Sequence, residues 1–188
     1  KSNNKQVWEY LDFEKPVSKN TSVTISIGDL NLISKKIEEV KDFNILKVKL
    51  GNANDKEIIE TIRKHSDKPL VVDVNQGWKD KRFALEMINW LADKNVLFVE
   101  QPMPKENIDD MAWVTERSVL PTMADESVMV LSDAERVVGI FSGINLKLMK
   151  CTGLHEAKKI IDFCKAKKFK IKCRLHDRKL LRYFCSRA

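Results

Sequence analysis

Three short apolar runs in this chain each end on a single acid: Leu70-Val71-Val72-Asp73, Leu97-Phe98-Val99-Glu100 and Thr122-Met123-Ala124-Asp125. Runs of this length and content read as buried parallel strands. Pro102 stops the second one, because proline has no N–H to give to a ladder. Each strand therefore delivers one carboxylate to its carboxyl end. The acids are 27 and 25 residues apart, so the three strands are neighbours in a regular repeat. Three hard oxygen ligands from adjacent strand ends make a site for Mg²⁺ or a similar ion.

The repeat extends along the chain. Strands are expected to begin near residues 23, 45, 70, 97, 122, 143 and 169, with helices over 32–40, 54–65, 83–91, 107–116, from 132, and over 154–167. Asn54-Asp55-Lys56-Glu57 and Ser132-Asp133-Ala134-Glu135 resemble capping boxes that open two of those helices. Seven strands alternating with six helices at this spacing are the rhythm of a (β/α)₈ barrel, whose chemistry sits at the carboxyl ends of the strands. A doubly wound sheet would need no polar residue at nearly every strand end, and the isolated glycines form no phosphate loop. The fold class is therefore α/β, an incomplete TIM-type barrel over 21–172, preceded by a connector over 1–20 and followed by a basic tail over 173–188. With seven strands, the first and seventh keep open edges.

Lys47 and Lys49 lie two apart on the second strand, so both side chains share a face. Each ammonium disfavours charge on the other, and one pKa is expected to fall, as suits a general base. Asp73 and Asn75 share a face for the same reason. Lys147 ends the sixth strand, across the three acids from Lys49. His65, His155 and His176 fall outside this pattern and read as surface residues. Trp78, Trp90 and Trp113 read as core or rim packing, and so do Met103, Met123 and Met149.

The net charge of +7 invites a nucleic-acid reading, but ten of the 34 Lys and Arg and one of the 27 acids lie in 165–188. That leaves 24 basic and 26 acidic residues in a slightly acidic body, so no specific nucleic-acid partner is expected. No apolar run approaches the ~20 residues of a membrane span, and the polar start shows no signal-peptide pattern. The four cysteines show no metal-ligand spacing and read as reduced thiols, pointing to the cytoplasm.

Leu46-Lys47-Val48-Lys49-Leu50-Gly51, Asp73-Val74-Asn75-Gln76-Gly77-Trp78, Val99-Glu100-Gln101-Pro102, Met123-Ala124-Asp125-Glu126-Ser127 and Asn145-Leu146-Lys147-Leu148-Met149-Lys150 together resemble the enolase superfamily, in its muconate-lactonizing subgroup. Within the subgroup the chain looks most like the dipeptide epimerases that act on Ala-Glu dipeptides. The resemblance implies that Asp73, Glu100 and Asp125 bind Mg²⁺. It also implies that Lys49 and Lys147 move the α-proton on opposite faces of the substrate through an enediolate. Lys47 would assist at the substrate carboxylate, with Asn75 and Glu126 as supports behind the ligands. An o-succinylbenzoate synthase, an N-acylamino acid racemase, a muconate cycloisomerase, or a non-catalytic fragment with a polyanion-binding tail are the alternatives. A small carboxylate substrate and a homo-oligomer fit the family.

Three departures are expected to matter. The family's capping domain is expected to be absent, except for its last turn near residues 7–11. The eighth barrel strand is absent. Thr152 stands where a glycine is usual. After Ile171 the family pattern also breaks off. Codons allowed for Cys173 to Ser186, read one base out of frame, can spell a family-like Val-Gly-Cys-Met-Thr-Glu run, so the tail is expected to be non-native. On this reading the 188-residue chain is an inactive fragment.

Overall fold

The computed structural model describes residues 5–13, 15, 21–25, 32–174 and 181–182. One turn of helix, α1 (Val7–Tyr10), precedes a strand–helix alternation. It runs β1 (Ser22–Ile25), α2 (Ile33–Glu39), β2 (Ile45–Lys49), α3 (Asp55–His65), β3 (Leu70–Asp73), α4 (Lys81–Ala92) and β4 (Val96–Glu100). It continues through α5 (Ile108–Arg117), β5 (Thr122–Ala124), α6 (Leu131–Arg136), β6 (Gly143–Lys147), α7 (Leu154–Ala166), β7 (Lys170–Arg174) and β8 (Leu181–Arg182). The strands lie side by side in chain order, and β1 to β7 are all parallel. This is the incomplete (β/α) barrel that the repeat implies.

The two-residue β8 was not expected. It pairs antiparallel with β7, Cys173 opposite Arg182 and Arg174 opposite Leu181. It covers only the last two residues of the edge of β7, and Lys170 to Lys172 have no strand paired on that side among the described residues. His176 and most of the basic tail lie outside the described residues.

Period-2 geometry sorts the strands into two faces. Leu46 and Val48 of β2, Leu70 and Val72 of β3, Val99 of β4, Ile144 and Leu146 of β6 and Ile171 of β7 all join the core beneath the helices. That core meets Ile58, Ile59 and Ile62 of α3, Met87, Ile88 and Leu91 of α4, and Ile160, Ile161 and Cys164 of α7. Burial of such side chains contributes about 1.5–3 kcal/mol each. Their alternates, Lys47, Asp73, Glu100, Asn145, Lys147 and Lys172, are left for the inner face.

Neither capping box forms as expected. The Asn54 side chain caps nothing. Instead the buried Asp55 carboxylate accepts from the Gly51 and Asn52 N–H groups, both at 2.9 Å, and from Trp78 Nε1 at 2.8 Å. This ties the loop after β2 to the loop after β3. Gly51 and Gly77 permit the approach: a Cβ on Gly51, at φ +106°, would stand 2.5 Å from the Val74 carbonyl oxygen. The helix expected from 132 starts a residue earlier, and Asp133 caps it by accepting from Met129 and Val130 N–H at 3.1 and 3.2 Å.

Trp78 is buried, whereas Trp90 and Trp113 are half-buried, with lysine or arginine cations over their rings. Met103 and Met123 are buried, but Met149, expected to pack, is 79% exposed on the turn after β6. His65 and His155 are exposed. Cys151 and Cys164 are buried and free. No described helix is long and apolar enough to cross a membrane.

Candidate metal and proton-transfer site

Register brings the carboxylates to one level. Lys49 pairs with Asp73, Asp73 with Glu100, and Glu100 with Met123, two residues before Asp125. All three acids are buried, and one oxygen from each lies within 4.8 Å of the others. Buried charges at that separation repel, so such a cluster persists only where cations balance it.

The cations come from the flanking strands. Lys47, 1% exposed, bridges Asp73 Oδ2 at 2.7 Å and Glu100 Oε2 at 2.8 Å. Lys147 pairs with Asp125 Oδ2, and Lys150 reaches Asp125 Oδ1 at 2.7 Å. Lys172 Nζ lies 3.5 Å from Glu100 Oε2. Asn145 donates to Glu100 Oε1 at 2.6 Å. Lys49 donates to Asn75 Oδ1 at 2.7 Å, and Asn75 Nδ2 in turn donates to Glu126 Oε1 at 2.9 Å. Asn75 and Gln76 both adopt left-handed backbone, φ 47° and 67°, which turns the Asn75 amide between Lys49 and Glu126.

Gln101, buried with φ 40°, braces the loop after β5. Its Oε1 accepts from Asp125 N–H at 2.9 Å, and its Nε2 donates to Ser127 Oγ at 2.9 Å. All eight residues picked out in the sequence thus sit around one mouth. Lys150, Asn145, Gln101 and Lys172 were not picked out for roles there. The first three lay inside the quoted motifs, and Lys172 lay at the start of a basic run.

The electrostatics differ from the sequence expectation at Lys47. Burial opposes its charge, but Glu100 and Asp73 outweigh burial and hold its pKa above the usual lysine value. A lowered pKa from the neighbouring Lys49 is not what the geometry gives. Burial also pushes Glu100 toward neutrality, yet Lys172 and Lys47 win and hold it well below the usual carboxylate range. Asp125 goes the other way: burial, then the charge of Glu100, raise it despite Lys147 and Lys150.

The donor set fits a hard divalent cation, since every candidate ligand is a carboxylate oxygen. Two further buried oxygens, Glu126 Oε2 and Asn145 Oδ1, have no hydrogen-bond partner among the described residues. The cluster could hold a metal ion.

A family model described as enolase C-terminal domain-like matches residues 33–181. The L-Ala-D/L-Glu epimerase of Bacteroides thetaiotaomicron is 52% identical over 162 residues, which cover 86% of this chain and 42% of that protein. The dipeptide epimerase of Cytophaga hutchinsonii, solved with Mg and the dipeptide D-Ala-L-Val, matches with a TM-score of 0.81 at 29% identity, over 88% of this chain and 47% of that one. The dipeptide epimerase of Enterococcus faecalis, solved with Mg and L-Leu-L-Tyr, matches with a TM-score of 0.77 at 34% identity, over 83% of this chain and 46% of that one. The chain thus spans less than half the length of these relatives.

Proposed function

Since the chain belongs to the enolase C-terminal domain-like family, we propose that it carries the reaction face of a Mg²⁺-dependent dipeptide epimerase of the Ala-Glu type. The observation that carries this reading is the convergence of three buried carboxylates, with oxygens within 4.8 Å, between strands that present Lys49 on one side and Lys147 on the other. Asp73, Glu100 and Asp125 would hold the ion. When bound, Mg²⁺ would supply positive charge against the substrate carboxylate as negative charge builds there.

The chain's own groups do the rest. Lys49 and Lys147 stand on β2 and β6, either side of the three acid-bearing strands. One takes the α-proton from one face, and the other returns a proton to the opposite face, which inverts the centre. The Asn75 carbonyl oxygen, 2.7 Å from Lys49 Nζ, holds that ammonium in place, and Glu126 anchors the Asn75 amide from behind. Lys47, fixed as an ammonium between Asp73 and Glu100, adds positive charge on the carboxylate side.

The test is α-proton exchange in D₂O, with an Ala-Glu dipeptide and Mg²⁺, in the full-length protein. Lys49→Ala and Lys147→Ala should each abolish epimerisation. Each should still exchange the α-proton of the one stereoisomer whose face keeps its lysine. Full epimerisation in either variant would overturn the roles assigned here.

A further inference from the structure

Lys172 has no part in the chemistry above, yet it is one of the most deeply buried lysines in the described residues, at 2% exposure. It stands on β7 opposite Asn145 of β6. Its Nζ lies 4.8 Å from the centroid of the Phe98 ring and 3.5 Å from Glu100 Oε2. The same Oε2 accepts from Lys47 at 2.8 Å, and Oε1 accepts from Asn145 at 2.6 Å. One carboxylate oxygen of a candidate metal ligand thus faces two ammonium groups. Burying a lysine is costly unless a charge answers it, and Glu100 Oε2 offers Lys172 such a charge at 3.5 Å. A divalent ion needs that same charge.

We propose that Lys172 is an internal counter-cation that competes with the divalent ion for Glu100 and so sets how tightly this site takes metal. The inference rests on the reading that the ion sits on Asp73, Glu100 and Asp125. The ammonium lies on the inner face, where solvent screens little, so its repulsion of an incoming cation is felt nearly in full. In the metal-free protein the same contact keeps the Glu100 carboxylate charged and placed on the inner face.

The experiment is a Mg²⁺ titration of the purified chain, by calorimetry, for the wild type, Lys172→Met and Lys172→Arg. Methionine keeps the apolar stem and removes the charge. Its Mg²⁺ dissociation constant should fall at least about tenfold, as expected of one poorly screened unit charge within ~10 Å. Arginine keeps the charge and should bind as the wild type does. A lysine of purely structural importance would lower the melting temperature in both variants and leave the dissociation constant alone.

Unchanged or weaker binding by Lys172→Met, with the wild type binding normally, overturns this inference and leaves the metal assignment standing. No Mg²⁺ binding by either protein overturns both. Should Lys172→Met fail to fold, Lys172→Gln takes its place: it also removes the charge but keeps a polar end, its Mg²⁺ dissociation constant should fall likewise, and an unchanged or weaker affinity overturns the inference.

Discussion

Asp125→Asn should uncouple stability from magnesium. In the wild type, Asp125 shares a 4.8 Å cluster with Asp73 and Glu100. At an effective dielectric of ~20, each pair of charges at that distance repels by about 3.5 kcal/mol. Lys147 and Lys150 offset part of this at Asp125, but burial and Glu100 still raise its pKa. Its ionised form therefore opposes folding above that raised value, and the penalty is relieved as pH falls. Glu100, with a lowered pKa, behaves oppositely: its contribution is present above the usual carboxylate value of 4.5 and is lost as pH falls below it. A bound Mg²⁺ removes the penalty at neutral pH. At a Mg²⁺ concentration 100 times the dissociation constant the gain is ~2.7 kcal/mol, or about 5–11 °C in melting temperature for a domain of this size.

Differential scanning calorimetry at pH 7, in EDTA and in excess Mg²⁺, measures this directly. The wild type should melt higher with Mg²⁺. Asp125→Asn should melt no lower than the wild type in EDTA, because the amide removes the repelling charge, and its Mg²⁺ increment should vanish. An equal Mg²⁺ increment in both proteins would refute the assignment of Asp125 as a ligand. A metal-free variant that melts well below the metal-free wild type would refute the electrostatic reasoning.

Two further outcomes test the scaffold. Gly51→Ala forces a left-handed residue to carry a Cβ 2.5 Å from the Val74 carbonyl oxygen, and should cost about 2–4 kcal/mol in urea unfolding. Cys164, whose thiol burial pushes up to about 11, should resist a thiol reagent at pH 8 in the native protein and react at once in urea. Because the folded value is raised, this thiol's contribution to stability is intact below the ordinary thiol pKa of ~8.5 and is lost as pH climbs toward about 11.

The convergence of Asp73, Glu100 and Asp125 could be anticipated because each ends an apolar run, and strand ends share a level in a parallel sheet. The placement of Lys49 followed from its period-2 spacing to Lys47, and that of Lys147 from its position at the end of the sixth strand. Lys172 could not be found this way. In the sequence it begins a run of positive charge, while Glu100, 72 residues away, and the Phe98 ring, on which its ammonium lies, belong to another strand. Lys47 is held above the usual lysine value for a related reason: a neighbour two residues along the strand is visible in sequence, while Asp73 and Glu100 beside Lys47 belong to other strands. The capping box expected at Asn54 misled similarly: the Asn54 side chain caps nothing, and the Asp55 carboxylate beside it is spent on Gly51, Asn52 and Trp78, a loop clamp that sequence spacing does not encode.

The grip on Glu100 also bears on how the chain folds. Its partners Lys47, Asn145 and Lys172 lie 53, 45 and 72 residues away along the chain. Each neighbouring strand pair closes a loop of only about 25 residues, so the sheet can assemble stepwise from local units. The polar knot at Glu100 cannot close until β2, β4, β6 and β7 are all in place. It belongs to the last event of folding, on the native side of the barrier, so its ion pairs act mainly as a brake on unfolding and add little to the speed of folding.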